Sequence, residues 1–259
     1  MIKAKKSLGQ NFLIDKNVLE RITNTTNIKN KIILEIGPGT GNLTSYILKK
    51  NPKKMIVIEK DIELARNLKN KFNNQLIIIN DDVLKIDETK LFKDRVIVFG
   101  NLPYNISTEI LSKWIINLKN NFWFESLVLM FQKEVAERIV AKPGSKNYGR
   151  LSILTNWLTE SSKLFDIPSE AFIPKPKVKS SVIQLKPLSK PLYDVSFESL
   201  EKITHLAFSQ KRKMLKTSLK EIDGEKILED LNISPNLRPE NLSVIDFCKI
   251  AKKSNQFKN

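Results

Sequence analysis

Short apolar runs alternate with stretches whose apolar residues recur at helical spacing along the first two-thirds of the chain. Residues 31–36 (KIILEI) read as a buried strand, followed by a helix over 42–50 with Leu43, Tyr46 and Ile47 on one face. Residues 55–58 predict a second strand, and 63–72 a helix aligning Leu64, Leu68 and Phe72. Third, fourth and fifth strands are expected over 76–80, 95–99 and 126–130. Between the last two, Ser107 suits an N-cap for a helix through Leu118, with Ile110, Leu111, Trp114 and Ile115 on its apolar face. Apolar strands separated by amphipathic helices imply a parallel sheet covered on both faces. Ligands of such sheets bind beyond the carboxyl ends of the strands.

The pattern changes further on. Pro168, Pro174, Pro176, Pro187 and Pro191 punctuate the next region, and helical spacing follows. Leu200, Ile203 and Ala207 share one face, and Leu215, Leu219 and Ile222 another. Ser243 to Asp246 reads as a capping box ahead of Phe247, Ile250 and Ala251. The expected division is a first domain over 1–186 and a small helical domain over 187–259. His205 fits no chemical pattern and reads as structural.

With 44 Lys and Arg against 28 Asp and Glu, the net charge is +16. A polyanionic partner such as nucleic acid is the natural reading. The joint richness in Lys, Asn and Ile is also what an AT-biased genome produces, so both readings stand on composition alone. Residues 187–259 hold 13 basic and 10 acidic residues, which leaves most of the surplus, +13, on the first part. A basic tail for non-specific binding is therefore not the design. Cys248 and His205 are each the only residue of their type, which excludes a Cys/His zinc cluster and an internal disulfide. No metal is expected. No apolar run approaches the roughly 20 residues that span a bilayer, and no signal peptide is visible. A cytoplasmic protein without a membrane partner is expected, with a monomer the simplest state.

The strand over 31–36 runs into Glu35-Ile36-Gly37-Pro38-Gly39-Thr40-Gly41. A phosphate-binding P-loop or a dinucleotide fingerprint needs glycine at position 42, where Asn stands, and no Lys-Ser/Thr pair follows. The spacing G-x-G-x-G after an acidic residue is similar to the first motif of S-adenosylmethionine methyltransferases, whose ligand carries no phosphate. Glu59 ends the second strand about 20 residues beyond the glycines, where a carboxylate accepts hydrogen bonds from ribose hydroxyls. NAD enzymes use the same position. After the third strand, a carboxylate of Asp81 or Asp82 is placed to reach an adenine amino group, and spacing admits either.

The fourth strand leads into Gly100-Asn101-Leu102-Pro103-Tyr104. This stretch resembles the [DNS]-P-P-[YFW] motif of methyltransferases acting on exocyclic amino groups, with Leu in the second position. The adenine N6 lone pair is delocalised into the ring and is a poor nucleophile. Two acceptors for its two hydrogens, the Asn101 side-chain carbonyl and the Leu102 backbone carbonyl, would favour a pyramidal nitrogen and free that lone pair. Pro103 stiffens the turn. Tyr104 is suited to stack on a base taken out of its helical stack. Such transfer needs positioning rather than a covalent nucleophile.

Nearly end to end, the chain resembles the bacterial small-subunit ribosomal RNA adenine dimethyltransferases, the kasugamycin-resistance family. Residues 6–13 (KSLGQNFL), 132–138 (QKEVAER), 148–152 (YGRLS), 172–180 (FIPKPKVKS), 208–215 (FSQKRKML) and 238–243 (RPENLS) carry the likeness. It implies a Rossmann-like class I S-adenosylmethionine methyltransferase sheet with a C-terminal all-helical RNA-recognition domain, acting on 16S rRNA in the small ribosomal subunit. It favours Asp82, where Val83 and Leu84 follow, for the adenine. It implies that Asn11 and Leu13 close over the cofactor, places Asn101 among the cofactor contacts too, and offers Phe172 as a second stacking ring. Lys211, Arg212 and Lys213 become candidate RNA-backbone contacts. Erythromycin-resistance enzymes, which methylate large-subunit RNA, share these motifs, though residues 8–12 and 101–104 lean towards the small-subunit group. An RNA-binding assembly factor without activity is the other alternative, opposed by the intact glycines, Glu59, Asn101 and Tyr104.

Overall fold

The structure, a computed structural model, describes residues 4–5, 8–118, 121–210 and 212–256. In chain order the elements are β1 (Phe12–Leu13), α1 (Lys16–Thr23), β2 (Ile32–Ile36), α2 (Asn42–Leu48), β3 (Lys54–Ile58), α3 (Ile62–Phe72) and β4 (Ile77–Ile79). There follow α4 (Glu88–Leu91), β5 (Val96–Asn101), α5 (Ser107–Leu118), β6 (Phe124–Gln132), α6 (Lys133–Ile139) and α7 (Arg150–Asn156). The remainder comprises β7 (Thr159–Ile167), β8 (Phe172–Ile173), β9 (Ser180–Pro187), α8 (Phe197–Ser209), α9 (Leu215–Ser218), α10 (Gly224–Asp230) and α11 (Val244–Gln256).

Seven strands form one sheet in the order β4-β3-β2-β5-β6-β9-β7. The chain starts at β2, winds outward through β3 and β4, then crosses back to β5 and β6, all parallel. That reversal beside β2 opens a crevice at the carboxyl ends of β2 and β5. The parallel strands are apolar because both faces are covered: Val96 to Phe99 of β5 are at most 1% exposed. The sheet is not wholly parallel, however. β9 runs antiparallel to β6, pairing Leu127 with Leu185 through to Gln132 with Ser180. A strand reached without a helical crossover is free to run that way. The residues just before it, with their three prolines, gave no strand signal, and β7 mixes polar with apolar positions.

The helices follow from their apolar spacing and their caps. α3 buries Leu64, Ala65, Leu68 and Phe72, and Asp61 caps it by accepting from the Glu63 amide at 3.0 Å. α5 buries Ile110, Leu111, Trp114, Ile115 and Leu118. Ser107 is its first helical residue rather than its N-cap, and its hydroxyl donates back to the Tyr104 carbonyl at 3.2 Å. The expected capping box is present in α11: the Asp246 carboxylate accepts from the Ser243 amide, and the Asp246 amide donates to the Ser243 hydroxyl.

The chain folds as two compact units, 1–136 with 162–187, and 137–161 with 188–259. The sequence division at 186/187 left 137–161 with the sheet; the fold groups them with the C-terminal helices. Their anchors explain this. Tyr148 meets Phe208 edge-on at 6.4 Å, Phe208 packs on Phe247 at 5.7 Å, and the Trp157 indole donates to the Tyr193 carbonyl. Apolar spacing cannot tell which of two cores a side chain joins. His205 is exposed on α8.

Candidate active site

A cleft opens at the carboxyl ends of β2, β3, β4 and β5, entirely within the sheet-bearing unit. Asn11, Leu13, Gly37, Gly39, Glu59, Asp82 and Asn101–Tyr104 all line it, as do both Glu35 and Asp81. The loop after β2 turns through three glycines of positive φ. A Cβ on Gly39 would come within 2.8 Å of the Phe12 ring, and one on Gly41 within 2.6 Å of Phe72. Only glycine permits either approach. Gly41 is absent from the cleft lining; it starts α2 and seats that helix on α3, so its part is packing rather than ligand contact.

The hydrogen bonds of this loop bear on its ligand. Gly37 N–H donates to the Ile58 carbonyl, Gly39 N–H to the Glu59 carboxylate at 3.0 Å, and Gly41 N–H to the Pro38 carbonyl. A phosphate cradle presents such N–H groups to its anion. Here they are committed inside the protein. Glu59, 5% exposed, also accepts from the Asp61 amide at 2.9 Å, and burial pushes its carboxyl above the usual range. Each oxygen retains a lone pair for a ligand hydroxyl.

Asp82 accepts from Lys60 Nζ at 2.7 Å and from the Leu84 amide at 3.0 Å, and that ammonium holds its carboxyl below the usual range. Asp81 is exposed. Glu35 is 2% exposed, accepts from Thr44 Oγ1 at 2.6 Å, and is pushed up to about 8 because burial strips its water.

The loop Asn101–Tyr104 is held from several sides. Asn101 Nδ2 donates to the Asn11 carbonyl at 2.7 Å. No described residue donates to its Oδ1 or to the Leu102 carbonyl, so both acceptors are unused. The Pro103 carbonyl accepts from the Ile106 amide, closing the turn. Tyr104 Oη and Ser180 Oγ lie 2.5 Å apart, and burial raises the Tyr104 phenol.

The N-terminal segment roofs the cleft. The Leu13 carbonyl accepts from Asn42 Nδ2 at 2.8 Å, and the buried Asp61 carboxylate takes Lys5 Nζ and Gln10 Nε2 at 3.0 and 3.2 Å. Lys6 and Ser7 lie outside the described residues. Phe172 is not brought to the cleft. It pairs with Leu13 across β1 and β8 and is 2% exposed in the core, while its neighbour Ile173 is 58% exposed. Strand alternation sends Phe172 inward, against the stacking role that resemblance offered. The sequence reading missed Gln10, Asn42, Asp61, Gln132 and Ser180; only Gln10, Gln132 and Ser180, as motif members without a role, gave any signal.

A family model described as ribosomal RNA adenine dimethylase matches residues 1–256. A protein of Pelagibacter ubique named ribosomal RNA small subunit methyltransferase A is 54% identical over 254 residues, 97% of each chain. Among solved structures, a dimethyladenosine transferase from Plasmodium falciparum superposes with a TM-score of 0.82 at 28% identity, covering 95% of this chain and 98% of that one. The 23S rRNA methyltransferase ErmE superposes with a TM-score of 0.71 at 22% identity, covering 95% and 100%, a likeness of fold alone.

Proposed function

Because the chain belongs to the ribosomal RNA adenine dimethylase family, we infer that it transfers methyl groups from S-adenosylmethionine to adenosine N6 in 16S rRNA. The acceptors are two adjacent adenosines in the 3′-terminal hairpin, met within the small ribosomal subunit. The convergence of the Asn101–Tyr104 loop on a cleft whose glycine N–H groups are already engaged carries this reading. The substrate implies a cytoplasmic site, and we assign the cleft neither a metal nor a second copy of the chain.

S-adenosylmethionine brings an electrophilic methyl group on a sulfonium. Its cradle fits: Glu59 accepts from ribose hydroxyls, Asp82 faces the adenine amine, and Ile36, Leu43, Ile58 and Val83 give apolar walls. The roof at Asn11 and Leu13 excludes water. Asn101 Oδ1 and the Leu102 carbonyl would accept hydrogen bonds from the two N6 hydrogens, freeing the nitrogen lone pair to attack the methyl group. The Tyr104 ring supports the extruded base; such stacking is worth roughly 1–3 kcal/mol. We assign the second unit, with Arg212 and Lys213, to RNA recognition; Lys211 lies outside the described residues.

The test is transfer from labelled S-adenosylmethionine to unmethylated small subunits or, separately, to large-subunit RNA, with nucleoside analysis. Dimethyladenosine only in the large-subunit RNA would overturn the substrate; no transfer to either would favour a binding factor. Asn101→Ala is expected to abolish transfer while cofactor binding largely persists. Unchanged turnover in that variant would refute the role of Asn101.

A further inference from the structure

Beside the cofactor cleft lies a second, more open cavity of about 400 Å³, lined by Gly9, Asn11, Tyr104, Asn105 and Gln132. Small-ligand sites run to roughly 300–1,000 Å³. Gly9, Asn11, Tyr104 and Asn105 border both spaces, so the cavity stands where a methyl acceptor would approach the donor. Of its five residues, Gly9, Asn105 and Gln132 have no place in the mechanism above, and of the two amide side chains among these Asn105 is exposed and Gln132 half-buried.

Three observations aim this side chain. Gln132 ends β6 two residues beyond Met130, which lines the cofactor cleft, and alternate residues of a strand share a face. It pairs across the ladder with Ser180, so their side chains lie side by side. Ser180 in turn holds the tip of the Tyr104 ring at 2.5 Å. Gln132 therefore stands at the rim of the ring on which the base is laid. Its amide is half-buried and has no hydrogen-bond partner among the described residues. A half-buried amide without a partner is an unmet donor and acceptor pair.

We propose that Gln132 is a recognition residue for the acceptor base, its amide donating a hydrogen bond to one of the ring nitrogens, N1 or N7, that flank the adenine amino group. This rests on the N6-methyltransferase reading. Stacking on Tyr104 leaves the base free to rotate in its own plane. Asn101 and Leu102 fix one point, the amino group, and a bond from Gln132 to a ring nitrogen supplies the second. Glutamine is suited to adenine, whose amino group adjoins a ring acceptor. A base held at two points presents N6 to the methyl group in one orientation.

The experiment uses the full chain, labelled S-adenosylmethionine, and small subunits whose RNA carries adenosine, 1-deazaadenosine or 7-deazaadenosine at the target. Gln132→Leu should lower transfer to natural RNA about tenfold, the worth of one hydrogen bond, with cofactor affinity unchanged. One of the deaza analogues should lower transfer by the unaltered protein by a similar factor, and lower it no further in Gln132→Leu. The analogue arm needs no variant, so a folding defect cannot mimic it. If neither analogue slows the unaltered protein, or if the analogue and variant losses multiply, Gln132 does not read the ring. Absence of any transfer to natural RNA by the unaltered protein defeats the function itself and this inference with it.

Discussion

The Asn101 amide donates to the Asn11 carbonyl and so leaves its own oxygen as the acceptor for a substrate amine. Sequence supplied the residue; its orientation comes from a backbone group 90 positions earlier, which no local pattern shows. Glu35 is governed by its surroundings too. Buried at the end of β2, it holds its proton up to about 8 against 4.5 for the free group. The folded state thus binds this proton more tightly than the unfolded chain. Its contribution to stability is complete below the unfolded value and is lost as pH rises towards the folded one, by at most about 1.4 kcal/mol per pH unit. Glu35→Gln keeps an oxygen for the Thr44 hydroxyl and cannot ionise. Denaturant midpoints of the two proteins between pH 5 and 8 should diverge in favour of the variant as pH rises. Parallel curves would show that Glu35 carries no such shift.

At the level of elements, the segment after β4 is tied to α5 by one buried knot. Lys113 Nζ donates to the carbonyls of Val83 and Ile86 and pairs with Glu88, whose side chain is fully buried and also accepts from the Trp114 indole at 2.8 Å. Breaking a buried pair from one side costs about 3–5 kcal/mol, because the remaining charge has no partner. Lys113→Met is therefore expected to destabilise by that order in urea unfolding, and Lys113→Met with Glu88→Leu to recover a large part of it. A loss below about 1 kcal/mol, the upper end of what surface pairs contribute, would mean the knot is solvated. The parallel half of the sheet was legible because doubly covered strands read as apolar runs between amphipathic helices. β9 and β7 were not, since Ser180, Ser181 and Gln184 interrupt one and Glu160, Ser162 and Lys163 the other. The glycine loop, Glu59, Asp82 and the Asn101–Tyr104 loop could be placed on one cleft because each lies at or follows the end of a parallel strand. Phe172 was misplaced because resemblance gives a residue and not the face it takes.

The whole molecule divides its charge unevenly. The sheet-bearing unit carries a net +11 and the helical unit +5, counted over the residues assigned to each. Arg212 and Lys213 are exposed between α8 and α9 in the helical unit. If each neutralises one phosphate, replacing both with Gln should reduce the slope of log affinity against log salt by about 1.4–1.8. Filter binding of small-subunit RNA between 50 and 200 mM salt measures it, and an unchanged slope would remove both from the interface.

Gly9 and Asn11 border both the cofactor cleft and the cavity beside it. If filling one space changes how this shared wall is held, each reactant becomes an effector of the other. Whatever settles the wall on one side alters affinity on the opposite side, by the same factor in both directions. Donor affinity measured on the free protein is then not the affinity that operates on the ribosomal subunit. A spent donor and a modified base would then loosen or hold one another through those two residues.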